Sequence, residues 1–175
     1  MTMKNMILID LETQDFDVRS GIYEVACLAV EDYRVVDQLY LGKKIDGYTG
    51  STRYGFGYHN ISRDRDSIGR FKAFLAKYPY PLVAHNAPFD RKFLLYYRWI
   101  DRNYPAYCSI QAIKKEISHL RSYSLENLIR HFNIGDEVDH TAMSDTMNLY
   151  RLLCIVRPGT WVPLGEAYNT GSSAG

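Results

Sequence analysis

The sequence predicts a mixed α/β domain in which helices cover a central sheet. Three observations carry this: an apolar run closed by acids near the start, two further strand-like runs directly behind it, and helical periodicity interleaved with short strands thereafter. Met6 to Leu11 is continuously apolar apart from Asp10, which fits a strand buried on both faces at the centre of a sheet. Ile22 to Val30 reads the same way. Tyr33 to Leu41 is rich in β-branched and aromatic residues and is separated from its predecessor only by Glu31 and Asp32, so the two form a hairpin.

The second half alternates. From Asp64 to Tyr78 the apolar positions Phe71, Phe74, Leu75 and Tyr78 follow the i, i+3, i+4, i+7 spacing of a helix that Pro79 and Pro81 stop. A short strand over Leu82 to His85 leads into a second helix. Pro88 occupies its first turn, Asn86 is its candidate cap, and Phe89, Phe93, Tyr97 and Ile100 line one face. A fifth strand is expected over Tyr107 to Ile110, a helix over Ser109 to His119, and another over Leu125 to Phe132 capped by Ser124. The last helix carries Met143, Met147, Tyr150 and Cys154 as a core stripe, widened by Leu149, Leu153 and Val156 before Pro158. Residues 42–62, rich in Gly and Tyr, read as a loop.

A chain of 175 residues supports one core rather than two, so a single domain is expected over 1–160, with 161–175, ending in GSSAG, as a flexible tail. Hydrophobic and charged fractions of 46% and 23% exclude disordered and fibrous classes, whereas 15 tyrosines are unusual. A net charge of +1 provides no global field for nucleic acid, so any such surface must be local. Cys27, Cys108 and Cys154 lack metal-ligand or disulfide spacing and read as buried thiols. No apolar stretch has membrane-spanning or signal-peptide length, so no membrane partner and a cytoplasmic location are expected.

The chemistry is concentrated in three places. Asp10 and Glu12 lie two apart on one strand, so both side chains project from the same face. Such a pair occurs about 0.6 times by chance in a chain this long, but closing a buried strand with two acids is costly without a cation between them. Asp90, in HNAPFD, sits where a strand passes into a helix, and by itself it fits an acid favoured by the helix dipole as well as a functional residue. His140 and Asp145, in HTAMSD, open the last helix. On a continuous helix residues five apart point about 140° apart, so they share a target only if His140 lies in the loop before the helix. Asp10, Glu12 and Asp145 are then the few carboxylates a hard divalent cation prefers, and a neutral His140 suits a general base near pH 7.

DLET, HNAPFD and HTAMSD occur in the order and spacing of the DEDDh exonuclease superfamily, which the chain resembles from Ile7 to about Val156. IYEVACLAV and YSLENLIRHFNI are similar to other stretches of that group, which includes proofreading subunits of bacterial replicative polymerases and several exoribonucleases. The resemblance implies a ribonuclease-H-like α/β fold: a mixed five-stranded sheet with its second strand antiparallel, flanked by helices. It implies a metal-dependent 3′-to-5′ exonuclease using two divalent ions, Mg²⁺ or Mn²⁺. Asp10 would bridge both ions, Glu12 and Asp145 would complete one shell, Asp90 would serve the second, and His140 would be the base. Thr13 would approach the terminal 3′-hydroxyl, and His85, Asn86 and Phe89 would shape the substrate site. The expected partners are 3′ ends of single-stranded DNA or RNA, DNA favoured, and a DNA polymerase or replication complex. The rival readings are an exoribonuclease or short-oligonucleotide nuclease, and a catalytically silent binding module on the same fold.

Three departures bear on the substrate: Gln14-Asp15-Phe16 follows Thr13 where relatives often have Thr-Gly, Cys108-Ser109 replaces Asp-Thr, and HNIS at 59–62 matches loosely. His119 and His131 read as surface residues, and Arg63, Arg65, Arg70 and Lys72 as a solvated helix face that also has the chemistry to grip phosphates. Tyr48, Tyr54, Phe56 and Tyr58 fit base stacking and plain loop packing equally well.

Overall fold

The computed structural model describes residues 3–48, 57–135 and 141–165. Five strands form one sheet: β1 (Asn5–Thr13), β2 (Ile22–Glu31), β3 (Arg34–Gly42), β4 (Leu82–Ala84) and β5 (Ala106–Cys108). Their spatial order is β3-β2-β1-β4-β5. β2 runs antiparallel to β1 and β3, while β4 and β5 continue parallel to β1, so the second strand alone is reversed. Among the described residues five α-helices accompany the sheet: α1 (Arg65–Lys77), α2 (Ala87–Tyr96), α3 (Ser109–Glu116), α4 (Leu125–Phe132) and α5 (Ala142–Val156).

The β2–β3 hairpin turns on Asp32 and Tyr33, both at positive φ (48° and 61°), the two-residue arrangement whose twist matches that of the flanking strands. Neither turn residue is glycine, and the turn is held from outside, because the Tyr33 carbonyl accepts a 2.8 Å hydrogen bond from the Tyr150 hydroxyl on α5.

Alternation along β1 divides the interior. Ile7, Ile9 and Leu11 point into one core with Phe71 and Phe74 of α1 and Phe93 and Leu94 of α2. Met6 and Leu8 point into the other, with Ile113 of α3, Leu128 of α4 and Leu149, Leu152 and Leu153 of α5. Each fully buried aliphatic side chain contributes roughly 1.5–3 kcal/mol, so β1, apolar on both faces, is firmly seated. Continuing the same alternation puts Asp10 and Glu12 on the α5 side, at the strand's C-terminal end.

Several expectations need correction. The deep stripe of α5 is Ala142, Thr146, Leu149, Leu152 and Leu153; Met143, Met147, Tyr150 and Cys154 lie half-buried at its margin, because the helix meets the sheet about one residue position round from the predicted face. α3 ends at Glu116, leaving His119 exposed beyond it. α2 ends at Tyr96, so Ile100 packs from the following loop. The packed body continues past Thr160: Trp161 is buried, Pro163 bridges Tyr107, and the Leu164 amide donates to the Ala106 carbonyl at 2.9 Å. Cys27 and Cys108 are buried and free; Cys154 is only half-buried. Among the described residues no helix is long and apolar enough to cross a membrane.

Candidate active site

Three elements converge at the C-terminal end of β1. Asp10 and Glu12 come from the strand, and Asp145 from the first turn of α5, where an acid is favoured by the helix dipole. One carboxylate oxygen of each lies within 4.8 Å of the others, and all three residues are half-buried. α5 is fixed at this end by Thr141, the N-cap, whose hydroxyl accepts from the Ser144 amide at 3.4 Å. The helix therefore begins after His140, as a loop-borne base requires; His140 itself lies outside the described residues, as do Tyr54, Phe56 and the chain after residue 165.

Asp90 enters from the other side. β4 is short and pairs with β1 only at Ile7 and Leu8, so the Leu11 amide, which points the same way as that of Ile7, finds no backbone partner there. It donates instead to Asp90 Oδ1 at 3.2 Å, which fastens α2 to the strand between Asp10 and Glu12. The sequence left Asp90 open between helix-dipole acid and site residue, and the structure brings it to the cluster. Its burial pushes its carboxyl up to about 8, against the Leu11 amide, which pulls it down.

A fifth acid joins that sequence reading did not single out. Glu24 stands directly across from Glu12 in the β1–β2 register and is buried. Its Oε2 accepts from the Tyr40 hydroxyl at 2.5 Å. The signal was present in the hairpin register: two acids directly opposite on one face are destabilising unless something of opposite charge lies near. Burial first, then Asp145 and Glu24, push Glu12 up to about 8. Burial, followed by the charges of Asp90, Glu12 and Asp145, raises Asp10 well above the ordinary carboxylate range. Asp10 Oδ2 is buried and, among the described residues, has no hydrogen-bond partner. A cluster that holds protons at neutral pH and leaves a buried carboxylate oxygen unsatisfied fits a divalent cation, which would lower every one of these pKa values.

The other predicted residues divide. Thr13 is buried, its hydroxyl donating to the Asp15 carbonyl at 3.0 Å. It lines a cavity of about 410 Å³ with Glu12, Gln14, Phe16 and Phe89. Phe16 is 82% exposed, and its ring meets Phe89 edge-on at 5.9 Å. It was missed because it sits in the stretch that departs from the family pattern.

His85 is occupied within the protein rather than offered to a ligand. Nε2 donates to the Tyr123 carbonyl at 2.6 Å, which leaves Nδ1 to accept from the Ser109 hydroxyl at 2.8 Å. Burial pulls its pKa down to about 4, so it is the neutral tie between β4 and the loop before α4. Asn86 occupies the N-cap position of α2, but at φ 68° and without a side-chain cap bond, contrary to its predicted capping role. The left-handed turn swings its side chain away from the helix amides and exposes it.

The profile of the RNase_T exonuclease family matches residues 65–153, more than half of the chain, spanning α1 to the core of α5 and containing Asp90 and Asp145. The chain belongs to this exonuclease family. With Asp10 and Glu12 added by β1, the chain carries the acid set of the DEDDh exonuclease superfamily. Over 154 residues the chain is 27% identical to the PolC-type DNA polymerase III of Thermotoga petrophila, and equally to that of Thermotoga maritima, covering 79% of this chain. It spans only 11% of the length of those polymerases. Its fold is similar to exonuclease X solved with 5′-overhanging duplex DNA (TM-score 0.57, 20% identity, 86% of this chain and 90% of that one). It is also similar to Escherichia coli exonuclease I solved with single-stranded DNA and zinc (0.67, 15%, 88% and 40%). A third likeness is to a 3′-exonuclease that recognises the histone mRNA stem-loop (0.64, 14%, 99% and 72%).

Proposed function

We propose that this exonuclease removes nucleotides stepwise from the 3′ end of single-stranded nucleic acid, DNA in preference to RNA, releasing nucleoside 5′-monophosphates. The observation that carries the reading is the approach of Asp10, Glu12 and Asp145 to within 4.8 Å around a buried, unsatisfied carboxylate oxygen. Asp10, Glu12 and Asp145 would hold one Mg²⁺ or Mn²⁺, and Asp10 with Asp90 a second. When bound, such ions acidify water and take up the charge that develops on the scissile phosphate.

The chain's own residues supply the rest. His140, placed before the α5 cap, takes a proton from the attacking water. Thr13 and Phe89 wall the cavity beside Glu12 and orient the terminal nucleotide, and exposed Phe16 offers a further aromatic face for its base. Asn86, exposed four residues before Asp90, stands at the same strand-to-helix junction, which His85 positions through its bonds to Ser109 and Tyr123. The polymerase likeness supports a DNA substrate and a DNA polymerase or replication complex as partner.

The test is direct. Incubated with 5′-labelled single-stranded DNA and RNA in Mg²⁺ or Mn²⁺, the protein should produce a ladder of shortening products, faster on DNA. Faster shortening of RNA favours the exoribonuclease reading, and intact oligomers under both metals overturn the proposal.

A further inference from the structure

α2 carries more than Asp90. Phe89, Lys92 and Tyr96 recur at i, i+3 and i+7 and so form one stripe along the helix, about 10 Å from end to end. Phe89 begins it at the active-site cavity. Lys92, exposed, lies 5.1 Å above the Phe89 ring and donates to the Phe16 carbonyl at 2.6 Å, which leaves two of its three N–H groups for other partners. Tyr96, 49% exposed, ends the stripe.

Lys92 is also the near wall of a second, larger groove of about 790 Å³. Lys72, Tyr96, Arg98 and Arg102 line it as well, and Asp101 is the one acid among its lining residues. Among the described residues, none of Lys72, Lys92, Arg98 and Arg102 is engaged in a salt bridge. In a protein with a net charge of +1, four cations against one acid in a single groove form a pronounced local field. Cations interleaved with exposed aromatic rings are the combination that tracks a single strand, the cations following phosphates and the rings stacking on bases.

We propose that this groove binds the substrate strand upstream of its 3′-terminal nucleotide: the strand leaves the Glu12–Phe89 cavity past Lys92 and lays its phosphates along Arg98, Arg102 and Lys72. The proposal rests on the exonuclease reading above. What it adds is a direction of travel over α2 and a dependence on substrate length.

The experiment compares the wild-type protein with K72E/R98E/R102E and the neutral K72Q/R98Q/R102Q, on a 5′-labelled dinucleotide, a single strand of about twenty nucleotides, and a duplex with a recessed 3′ end, across a salt series. All three substituted residues are exposed, and melting curves confirm folding. On the long strand, charge reversal should lower kcat/KM at least about tenfold at low salt, mainly through KM. It should also flatten the log–log salt dependence by about 2, with the neutral variant intermediate. Dinucleotide hydrolysis should be unchanged. Equal losses on dinucleotide and long strand, an unaltered salt slope, or a loss confined to the duplex, which would assign the groove to a complementary strand, each overturn the proposal. If the wild-type protein shortens none of the three substrates, the exonuclease reading fails first. A wild-type enzyme that works while all its variants match it removes the groove alone.

Discussion

The two faces of β1 are built from the same nine residues and do opposite things. Toward α1 and α2, Ile7, Ile9 and Leu11 are almost fully enclosed and stabilise the fold by burial alone. Toward α5, Met6 and Leu8 do the same, but the face then ends in Asp10 and Glu12, with Glu24 across the strand and Asp145 above. At that end burial raises the carboxyl pKa values and opposes folding in the ionised state. The difference shows where stability and function part company: one strand spends its apolar length anchoring two acids that would not remain together on their own.

Substitutions on the two faces should therefore separate activity from stability. The largest effect is expected from Asp10→Asn, which should cut kcat by about a thousandfold or more while leaving the metal-free protein equally or more heat-stable. Steady-state kinetics and melting in a chelator check both halves, and retained activity would remove the acid cluster from the mechanism. On the opposite face Ile9→Ala should cost about 3 kcal/mol of stability, seen as a lower denaturant midpoint, with activity per folded molecule largely kept. Glu24→Gln should weaken divalent-metal affinity by about tenfold, measured by calorimetry, because it removes a charge that supports Glu12 without itself being among the three clustered ligands.

The smallest effect is a pH dependence with a definite sign. Glu12 and Asp90 titrate near 8 in the folded metal-free protein and near their ordinary values of about 4 when unfolded, so between those limits the folded state binds more protons. Metal-free stability should fall as pH rises from about 4 to 8 and level off above. The gain in melting temperature from added Mg²⁺ or Mn²⁺ should grow over the same range. A metal-induced gain that shrinks with rising pH would contradict the assignment.

Much of this was legible from sequence because it depends on local pattern. The strand carrying Asp10, the last helix opening near Asp145 and the capping residue Ser124 follow from periodicity and from a side-chain oxygen placed before an apolar run. What escaped depends on where elements meet. Glu24 becomes part of the site only through register. Phe16 and Lys92 are joined by a bond across 76 positions. Lys72 reads as one more exposed cation on α1 until the loop after α2 brings Arg98 and Arg102 to the same groove. His85 has the look of a site residue in sequence, and only the positions of Ser109 and Tyr123 show both its nitrogens already engaged.

The shortness of β4 has a wider consequence. With pairing to β1 ended at Leu8, the sheet has a notch, and the Leu11 amide is the broken edge that receives Asp90. Catalytic geometry here is thus a matter of an interrupted ladder. Extending β4 by two residues would complete the sheet, satisfy that amide with backbone and displace α2 outward. The Leu11 amide would exchange Asp90 for a backbone carbonyl, and α2 would lose the bond that fastens it to the strand.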